Sequence, residues 1–258
     1  MMNSDRYHAI DARQDDLSGL CRIGGIAAFC LIAYCLATIV QLLVLGAGVP
    51  PTAAGVFGIL HTHRIEGLLR LDLATVLVMP LYYLLFLGLF AALRRVDQAN
   101  TVLATTLAFA GTTLVLATPT ALPLLSLSDK YWAATSDAVR AQFLAAGEAL
   151  MSSDIWHATG AMVGGVLVQS GAVLICCVML RGGVFSRTTA WLGIVMHGID
   201  LAHTVLGPFA PMFAAILMAL AGLLYPVWFF LIGRRLLQLA AGKTGPAPSA
   251  PVASHLAG

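Results

Sequence analysis

Long apolar runs, separated by shorter polar segments, dominate this chain of 258 residues. A helix needs about 20 apolar residues to cross the hydrocarbon core of a bilayer. Six runs are long enough, and we predict a transmembrane helix in each of them: 23–45, 73–93, 102–125, 155–180, 190–206 and 213–232. The pattern therefore predicts an all-α fold, a polytopic integral membrane bundle of six transmembrane helices.

Four other segments complete the predicted organisation. Residues 1–20 are polar and too acidic for a secretory signal, which predicts a cytoplasmic segment ahead of a six-helix membrane domain at 21–238. Residues 239–258 are rich in Pro, Ala and Ser and predict a disordered cytoplasmic tail. We expect 53–70, as an amphipathic or partly re-entrant helix, and 129–153, as an outer helix, to lie at the membrane surface.

The distribution of lysine and arginine predicts the orientation of the bundle. Cytoplasmic loops of membrane proteins carry an excess of these residues. With the N-terminus inside, ten of the 14 fall in inner segments and only four in outer segments. The outer four are Arg64, Arg70, Lys130 and Arg140. Both termini are therefore predicted to be cytoplasmic.

Composition supports a membrane protein and excludes other classes. Apolar residues make up 59% of the chain and charged residues 10%, whereas soluble domains usually carry about 25% charged residues. A net charge of +2 without a basic stripe predicts no nucleic-acid partner. The five cysteines form no C-x-x-C pair, so a thiolate metal site is not indicated. Membrane lipid is the expected partner.

The stretch HGIDLAH, residues 197–203, places ionisable side chains inside the fifth predicted span. At about 100° per residue, His197, Asp200 and His203 fall within an arc of about 120° on one helix face. Ionisable groups within a span are costly and normally face the protein interior in pairs, so a functional site is the first hypothesis. The structural alternative is a hydrogen bond that only fixes the helix register.

With the predicted orientation, HGIDLAH lies in the outer half of the fifth span. Two other segments bring ionisable groups to the same outer leaflet: the start of the fourth span and the segment before the second span. Glu66 and Arg70 have the favoured i,i+4 order of an ion pair, so interfacial anchoring is an alternative for them. Capping or pairing with a neighbouring helix is an alternative for Asp72. The candidate catalytic residues are Asp200, His197, His203, His157, Asp72 and Glu66, and the candidate substrate-binding residues include Arg70 and His63.

Gly160 and Gly164 form a G-x-x-x-G motif in the fourth predicted span. Small residues at this spacing let two helices approach closely. The motif predicts close packing within the bundle, and the alternative is a seam between two copies of the chain.

Several stretches resemble one known family. They are RLDLATVLVMPLYYLLFLGLFAALRRV at 70–96, IWHATGAMVGG, VFSRTTAWLGIVMHG and LLYPVWFFLIGRRLL. Together they resemble the bacterial six-helix membrane proteins of domain of unknown function 4386, over most of residues 20–238. The resemblance implies a bacterial inner-membrane location and polar family positions, among them Tyr82 as a further candidate for substrate binding. The other matching positions are Arg70, Asp72 and His157. The resemblance implies no particular chemistry.

Several functions are open from the sequence. The first is an enzyme that acts on a lipid-soluble small molecule, isoprenoid-like or fatty, because carboxylic acids in apolar surroundings can hold and donate protons. In a metal-assisted variant, His157, His197 and His203 would bind Zn or Fe together with Asp200. The alternatives are a proton-coupled small-molecule transporter, a haem-binding membrane protein with histidine ligands, and an accessory subunit.

Reporter fusions test the predicted orientation. A topology reporter fused after Gly242 is expected to read as cytoplasmic, and one inserted beside Ser136 as external, because the lysine and arginine bias sets orientation. The measurement is reporter activity in each compartment. The reverse pattern would contradict the prediction and move the polar residues to the inner leaflet.

Overall fold

The structure is a computed structural model that describes residues 4–46, 48–153 and 158–242. Within these ranges the regular elements are all helices, and no strand occurs. They are α1 (Ser4–Leu45), α2 (Ala53–Thr62), α3 (Arg64–Arg70), α4 (Leu73–Val78), α5 (Pro80–Leu93), α6 (Gln98–Leu116), α7 (Ala121–Ala133), α8 (Asp137–Met151), α9 (Thr159–Gly182), α10 (Arg187–Leu206) and α11 (Pro211–Ala240).

Six of these helices pack side by side as a ring. Each contacts the next in the order α1, α5, α6, α9, α10 and α11, and α11 returns to α1. Five stretches of the described chain are long and apolar enough to cross a membrane: Leu17–Val44, Leu73–Leu93, Gln98–Ala133, Thr159–Gly182 and Pro211–Ala240. The prediction of an all-α membrane bundle is therefore confirmed.

Helix α10, which contains the predicted span 190–206, is less apolar than these five stretches. It has 20 residues, but Arg187 and the ionisable residues of HGIDLAH lower its hydropathy. The helix packs against α9 on one side and α11 on the other. Composition alone therefore indicates five candidate spans in the described chain, and α10 is the sixth helix of the ring.

Prolines interrupt two of the predicted spans. Helix α5 begins at Pro80, so the second span is divided into α4 and α5. Helix α6 ends at Leu116, shortly before Pro119, so the predicted span 102–125 is divided between α6 and α7. Proline has no N–H and disfavours helical conformation in the residue before it. After this break α7 packs against α2 and α8 rather than continuing the ring.

The two ends of the described chain differ from the predicted domain boundaries. Helix α1 begins at Ser4, so most of the polar segment predicted at 1–20 is continuous with the helix of the first span. Helix α11 ends at Ala240, and residues 243–258 of the predicted disordered tail lie outside the described residues.

Helices α2, α3, α7 and α8 form a separate layer at one end of the ring, which we call the cap. Its apolar side chains form their own buried cluster around Phe57, Leu60 and Leu124. Both segments predicted to lie at the membrane surface, 53–70 and 129–153, belong to this cap. The cap therefore has a small core distinct from that of the ring.

Two carboxylates fix the cap through helix N-termini. Asp72 accepts hydrogen bonds from the backbone N–H groups of Thr120 and Ala121, where α7 begins. Glu148 accepts one from the backbone N–H of Ala53, where α2 begins, at 2.7 Å. The first N–H groups of a helix have no acceptor within the helix, and a negative charge is favourable there. The carboxylates therefore join α4 to α7 and α8 to α2.

An ion pair joins α9 to the connection between α5 and α6, at the end of the ring opposite the cap. Arg181 of α9 donates to Asp97 at 2.7 Å, and Asp97 also accepts hydrogen bonds from the side chain and backbone N–H of Asn100. These bonds from Asn100, followed by Arg181, hold the pKa of Asp97 below its ordinary value. The carboxylate is therefore ionised at neutral pH, and its contribution to stability is lost only as pH falls through that lowered pKa.

The G-x-x-x-G motif packs against α6 within one chain. A Cβ atom added at Gly164 would lie 2.8 Å from the carbonyl oxygen of Gly111 and 3.0 Å from the backbone nitrogen of Val115. One added at Gly160 would lie 3.3 Å from the methyl group of Thr118. The two glycines therefore allow α9 and α6 to approach closely, and a role in an oligomer stays a prediction.

Candidate functional site

Hydrogen bonds between side chains join α9, α10 and α11 inside the ring. The Oδ2 atom of Asp200 on α10 accepts from Nε2 of Gln169 on α9 and from the hydroxyl of Tyr225 on α11, each at 2.5 Å. The Oε1 atom of Gln169 is 2.6 Å from Nδ1 of His197 on α10. We call these four side chains the polar network. It connects three adjacent helices of the ring.

The spacing of residues along α10 explains how one glutamine serves two partners. His197 and Asp200 are three residues apart, so their side chains lie on the same face of the helix, about one turn apart. Gln169 faces them from α9 and is 9% exposed. Its amide oxygen is placed at the histidine and its amide nitrogen at the aspartate. The two ends of a single amide group therefore bridge one turn of α10.

The direction of these hydrogen bonds determines the tautomer of His197. The aspartate oxygen is an acceptor, so the Gln169 amide nitrogen donates to it. The Gln169 oxygen is then the atom that faces His197, and an amide oxygen only accepts. Nδ1 of His197 must therefore carry the proton. A neutral imidazole with its proton on Nδ1 has its lone pair on Nε2.

The second ring nitrogen of His197 is buried and unpaired. His197 is 1% exposed, and its Nε2 atom has no hydrogen-bond partner among the described residues. The imidazole meets Trp228 edge to face, with ring centroids 4.8 Å apart, and meets Tyr225 similarly at 5.6 Å. Two aromatic rings therefore pack against an imidazole whose Nε2 lone pair is not used by any described residue.

The polar network can support acid–base chemistry at His197. An unprotonated imidazole nitrogen is the usual general base of enzymes, and an acceptor on its other nitrogen holds it in the required tautomer. Gln169 is that acceptor, and Asp200 and Tyr225 fix the orientation of the glutamine amide. The amide separates His197 from Asp200, so the aspartate acts on the imidazole only through Gln169.

His203, the third ionisable residue of HGIDLAH, has a different partner. Its Nδ1 atom lies 3.0 Å from the carbonyl oxygen of Ala214 on α11. An imidazole nitrogen beside a carbonyl oxygen donates to it. His203 therefore joins α10 to α11 two turns beyond His197, and its hydrogen bond is separate from the polar network.

Tyr82 lies next to the polar network through aromatic contacts. Its ring is edge-on to Phe229 of α11, with centroids 6.3 Å apart, and Phe229 is tilted against Tyr225 at 5.4 Å. Tyr82 therefore brings α5 to the side of the site that is lined by α11. Of the three candidate substrate-binding residues, it is the one within the ring.

The remaining candidates before the second span lie in the cap or at its border. Glu66 and Arg70 form a half-buried ion pair at 2.9 Å, and His63 is exposed between α2 and α3. Asp72 is buried and bonded to the start of α7. No hydrogen bond or ion pair between described residues connects these four side chains to Asp200. The structure therefore does not bring them together with the polar network.

The structure brings no candidate metal centre together in the described chain. No group of three His, Cys, Asp or Glu side chains in residues 4–46, 48–153 and 158–242 could hold a metal ion. His157, one of the three candidate metal ligands and a candidate catalytic residue, lies outside the described residues. His197 and His203, the other two, have separate partners on α9 and α11.

Sequence reasoning missed Gln169, Tyr225 and Trp228. An uncharged polar residue inside an apolar run was the available signal for Gln169, which follows GAMVGGVLV in the fourth span. Tyr225 and Trp228 flank Pro226 in the sixth span, but aromatic residues are common in membrane helices and their partners lie on other helices. Only the arrangement of the ring shows that these residues meet His197 and Asp200.

Comparison with known proteins gives no further assignment. No family model, no curated protein and no solved structure matches the chain. The resemblance to domain of unknown function 4386 therefore stays a prediction, and function has to be argued from the site.

Substitution of Asp72 tests its role in the cap. We expect Asp72→Asn to lower the free energy of unfolding by about 1–2 kcal/mol, because the amide loses the charge and one of two acceptors at the start of α7. The measurement is a thermal melt in detergent. Asp129→Asn is the control, since it removes an exposed ion pair with Arg64 that should contribute little. Equal melting temperatures for the two variants would contradict the capping role.

Proposed function

We propose that this protein is a membrane-embedded enzyme that acts on a lipid-soluble small molecule by acid–base chemistry at His197. The observation that carries the proposal is the buried Nε2 atom of that residue, which has no hydrogen-bond partner in the part of the chain that the structure describes. Leaving a buried acceptor unpaired costs about 1–3 kcal/mol, so packing alone gives no reason to keep it. A general base, in contrast, must be free to accept a proton from the substrate.

The apolar surroundings of His197 support a lipid-soluble substrate. Trp228 and Tyr225 contact the imidazole, and Phe229 and Tyr82 lie beyond Tyr225. The core of the ring around them is built from apolar side chains. Small-molecule sites of this kind bind mainly apolar ligands and use a few polar groups to orient them. An isoprenoid-like or fatty molecule dissolved in the bilayer matches the polarity of these surroundings better than a strongly hydrated substrate does.

The roles within the site follow from the hydrogen bonds. His197 is the base, and Gln169 is a positioning residue that holds its tautomer. Asp200 and Tyr225 position Gln169, and their ionisable groups can receive or return a proton when the network rearranges. Metal and haem play no part in this proposal. The cap residues Asp72, Glu66, Arg70 and His63 are given an architectural role.

The same proposal places α10 across the membrane as the sixth span, in a bacterial inner membrane. Its packing between α9 and α11, both apolar enough to cross, supports this placement. The lysine and arginine distribution supports cytoplasmic termini, which would put the cap on the outer side. Asp200 and His203 would then lie in the outer half of the bundle, since they fall in the half of α10 nearer to Leu206.

Lipid analysis of cells tests the proposed function. Wild-type protein and the variants Asp200→Asn and His197→Gln are expressed in a bacterial host, and membrane extracts are compared by mass spectrometry. We expect a lipid-soluble species to change in amount with the wild type. Conversion should fall about 100-fold or more in both variants, because His197→Gln removes the base and Asp200→Asn removes a group that can receive or return a proton. Asp200→Asn should melt close to the wild type, because one oxygen of Asp200 takes both hydrogen bonds and an amide oxygen can replace it.

Asp137→Asn is the matched control for this experiment. Asp137 lies in the cap with a fully exposed side chain, so the same chemical change should affect neither conversion nor melting temperature. Extracts that are identical with wild type and Asp200→Asn would refute an acid–base enzyme at this site. Unfolding of Asp200→Asn would indicate that the polar network mainly stabilises the ring.

A further inference from the structure

Two unpaired nitrogen atoms occur on neighbouring side chains in the core of the ring. They are Nε2 of His197 and Nε1 of Trp228, and neither has a hydrogen-bond partner among the described residues. Both side chains are 1% exposed, and their ring centroids are 4.8 Å apart. Most buried polar groups in proteins are paired, so two nitrogens on adjacent rings that both lack a partner within the described chain call for an explanation.

The two nitrogens have opposite hydrogen-bonding roles. The indole nitrogen of Trp228 can only donate. Nε2 of His197 can only accept, because the Gln169 oxygen places the imidazole proton on Nδ1. A ligand group that satisfies both must accept one hydrogen bond and donate another. A hydroxyl group does so with a single oxygen atom, whereas an ether or a carbonyl group has no proton to donate and an ammonium group has no lone pair.

The packing of α10 holds the indole nitrogen in this position. A Cβ atom at Gly193 would collide with Nε1 of Trp228 and with Sγ of Cys176. Gly193 lies one turn before His197 on the same face of α10, so the missing side chain lets the indole edge approach the helix next to the imidazole. The donor, Nε1 of Trp228, and the acceptor, Nε2 of His197, therefore both lie where α10 packs against α11.

Helix α11 is weakened beside the same residues. Pro226 lies within α11, between Tyr225 and Trp228. Because proline has no N–H, the carbonyl of Gly222 loses its donor four residues later. A Cβ atom added at Gly222 would meet nothing within 4 Å, so no neighbouring helix of the described chain packs against this position.

We propose that His197 and Trp228 together form a binding site for one hydroxyl group, supplied either by a lipid-soluble alcohol or by water. The indole N–H of Trp228 donates to the hydroxyl oxygen, and the hydroxyl proton is donated to Nε2 of His197. The assignment of the hydroxyl to an alcohol rests on the proposed function, and it identifies the substrate class as a lipid-soluble alcohol. Water as a source would instead make the site a holder of one buried water molecule.

Nuclear magnetic resonance of the full-length protein in detergent tests this site. The chain is labelled with ¹⁵N at tryptophan and histidine, and the probes are 1-dodecanol, its methyl ether and dodecane. The indole signal of Trp228 is assigned with Trp228→Phe, or by replacing Trp132, Trp156 and Trp191 with Phe if that variant does not fold. We expect 1-dodecanol to shift the signals of both Trp228 Nε1 and His197 Nε2, while dodecane shifts neither. The ether should bind about tenfold more weakly than the alcohol, because it lacks one buried hydrogen bond.

The outcomes separate the two sources. Shifts with 1-dodecanol identify an alcohol site. A persistent magnetisation transfer between water and the Trp228 indole proton, with no response to the alcohol, identifies a bound water and also supports the hydroxyl site. If neither is seen, or if dodecane shifts the signals as strongly as the alcohol, the inference is overturned.

Failure of the hydroxyl site and failure of the proposed enzyme can be told apart by combining this experiment with the lipid analysis. A hydroxyl signal at Trp228 without any lipid conversion would overturn the proposed enzyme and leave the binding site standing. Lipid conversion that depends on His197 and Asp200, without a hydroxyl signal and with full conversion by Trp228→Phe, would overturn only the hydroxyl site.

Discussion

The arrangement of α9, α10 and α11 depends on the need to pair polar side chains in a core without water. An unpaired carboxylate in such surroundings costs several kcal/mol, so Asp200 requires donors from its neighbours. Gln169 and Tyr225 supply them from the helices on either side. Helix α10, which is less apolar than the five candidate spans, is thus joined by side-chain hydrogen bonds to both adjacent helices. Without these partners, α10 would carry an unpaired carboxylate in the core of the ring.

The carboxylates that join helices have different roles because their hydrogen-bond partners differ. Asp72 and Glu148 face the first backbone N–H groups of α7 and α2, which need an acceptor wherever the helices begin. Asp200 faces two side chains, and one of them passes its orientation on to His197. The first arrangement fixes helices in the cap. The second controls the protonation pattern of a buried imidazole, which is why we assign the chemistry to the ring.

Much of the fold could be predicted because it depends on local patterns. Hydropathy gave the membrane class, and helical periodicity placed His197 and Asp200 on one face of α10. The partners of these residues could not be predicted, since Gln169 and Tyr225 meet them only when α9 and α11 pack on opposite sides of α10. That Asp72 lies apart from the polar network could not be predicted for the same reason. Its charge was visible in the sequence, but the start of α7 as its partner depends on the break near Pro119.

The central claim is that the polar network holds His197 with its proton on Nδ1 and its lone pair on Nε2. The ¹⁵N chemical shifts of the two ring nitrogens in the unmodified protein, assigned with His197→Gln, measure this directly at neutral pH. We expect the shift of a protonated nitrogen for Nδ1 and of an unprotonated nitrogen for Nε2. A protonated Nε2 beside an unprotonated Nδ1 would contradict the orientation of Gln169 and remove the base from the proposed site.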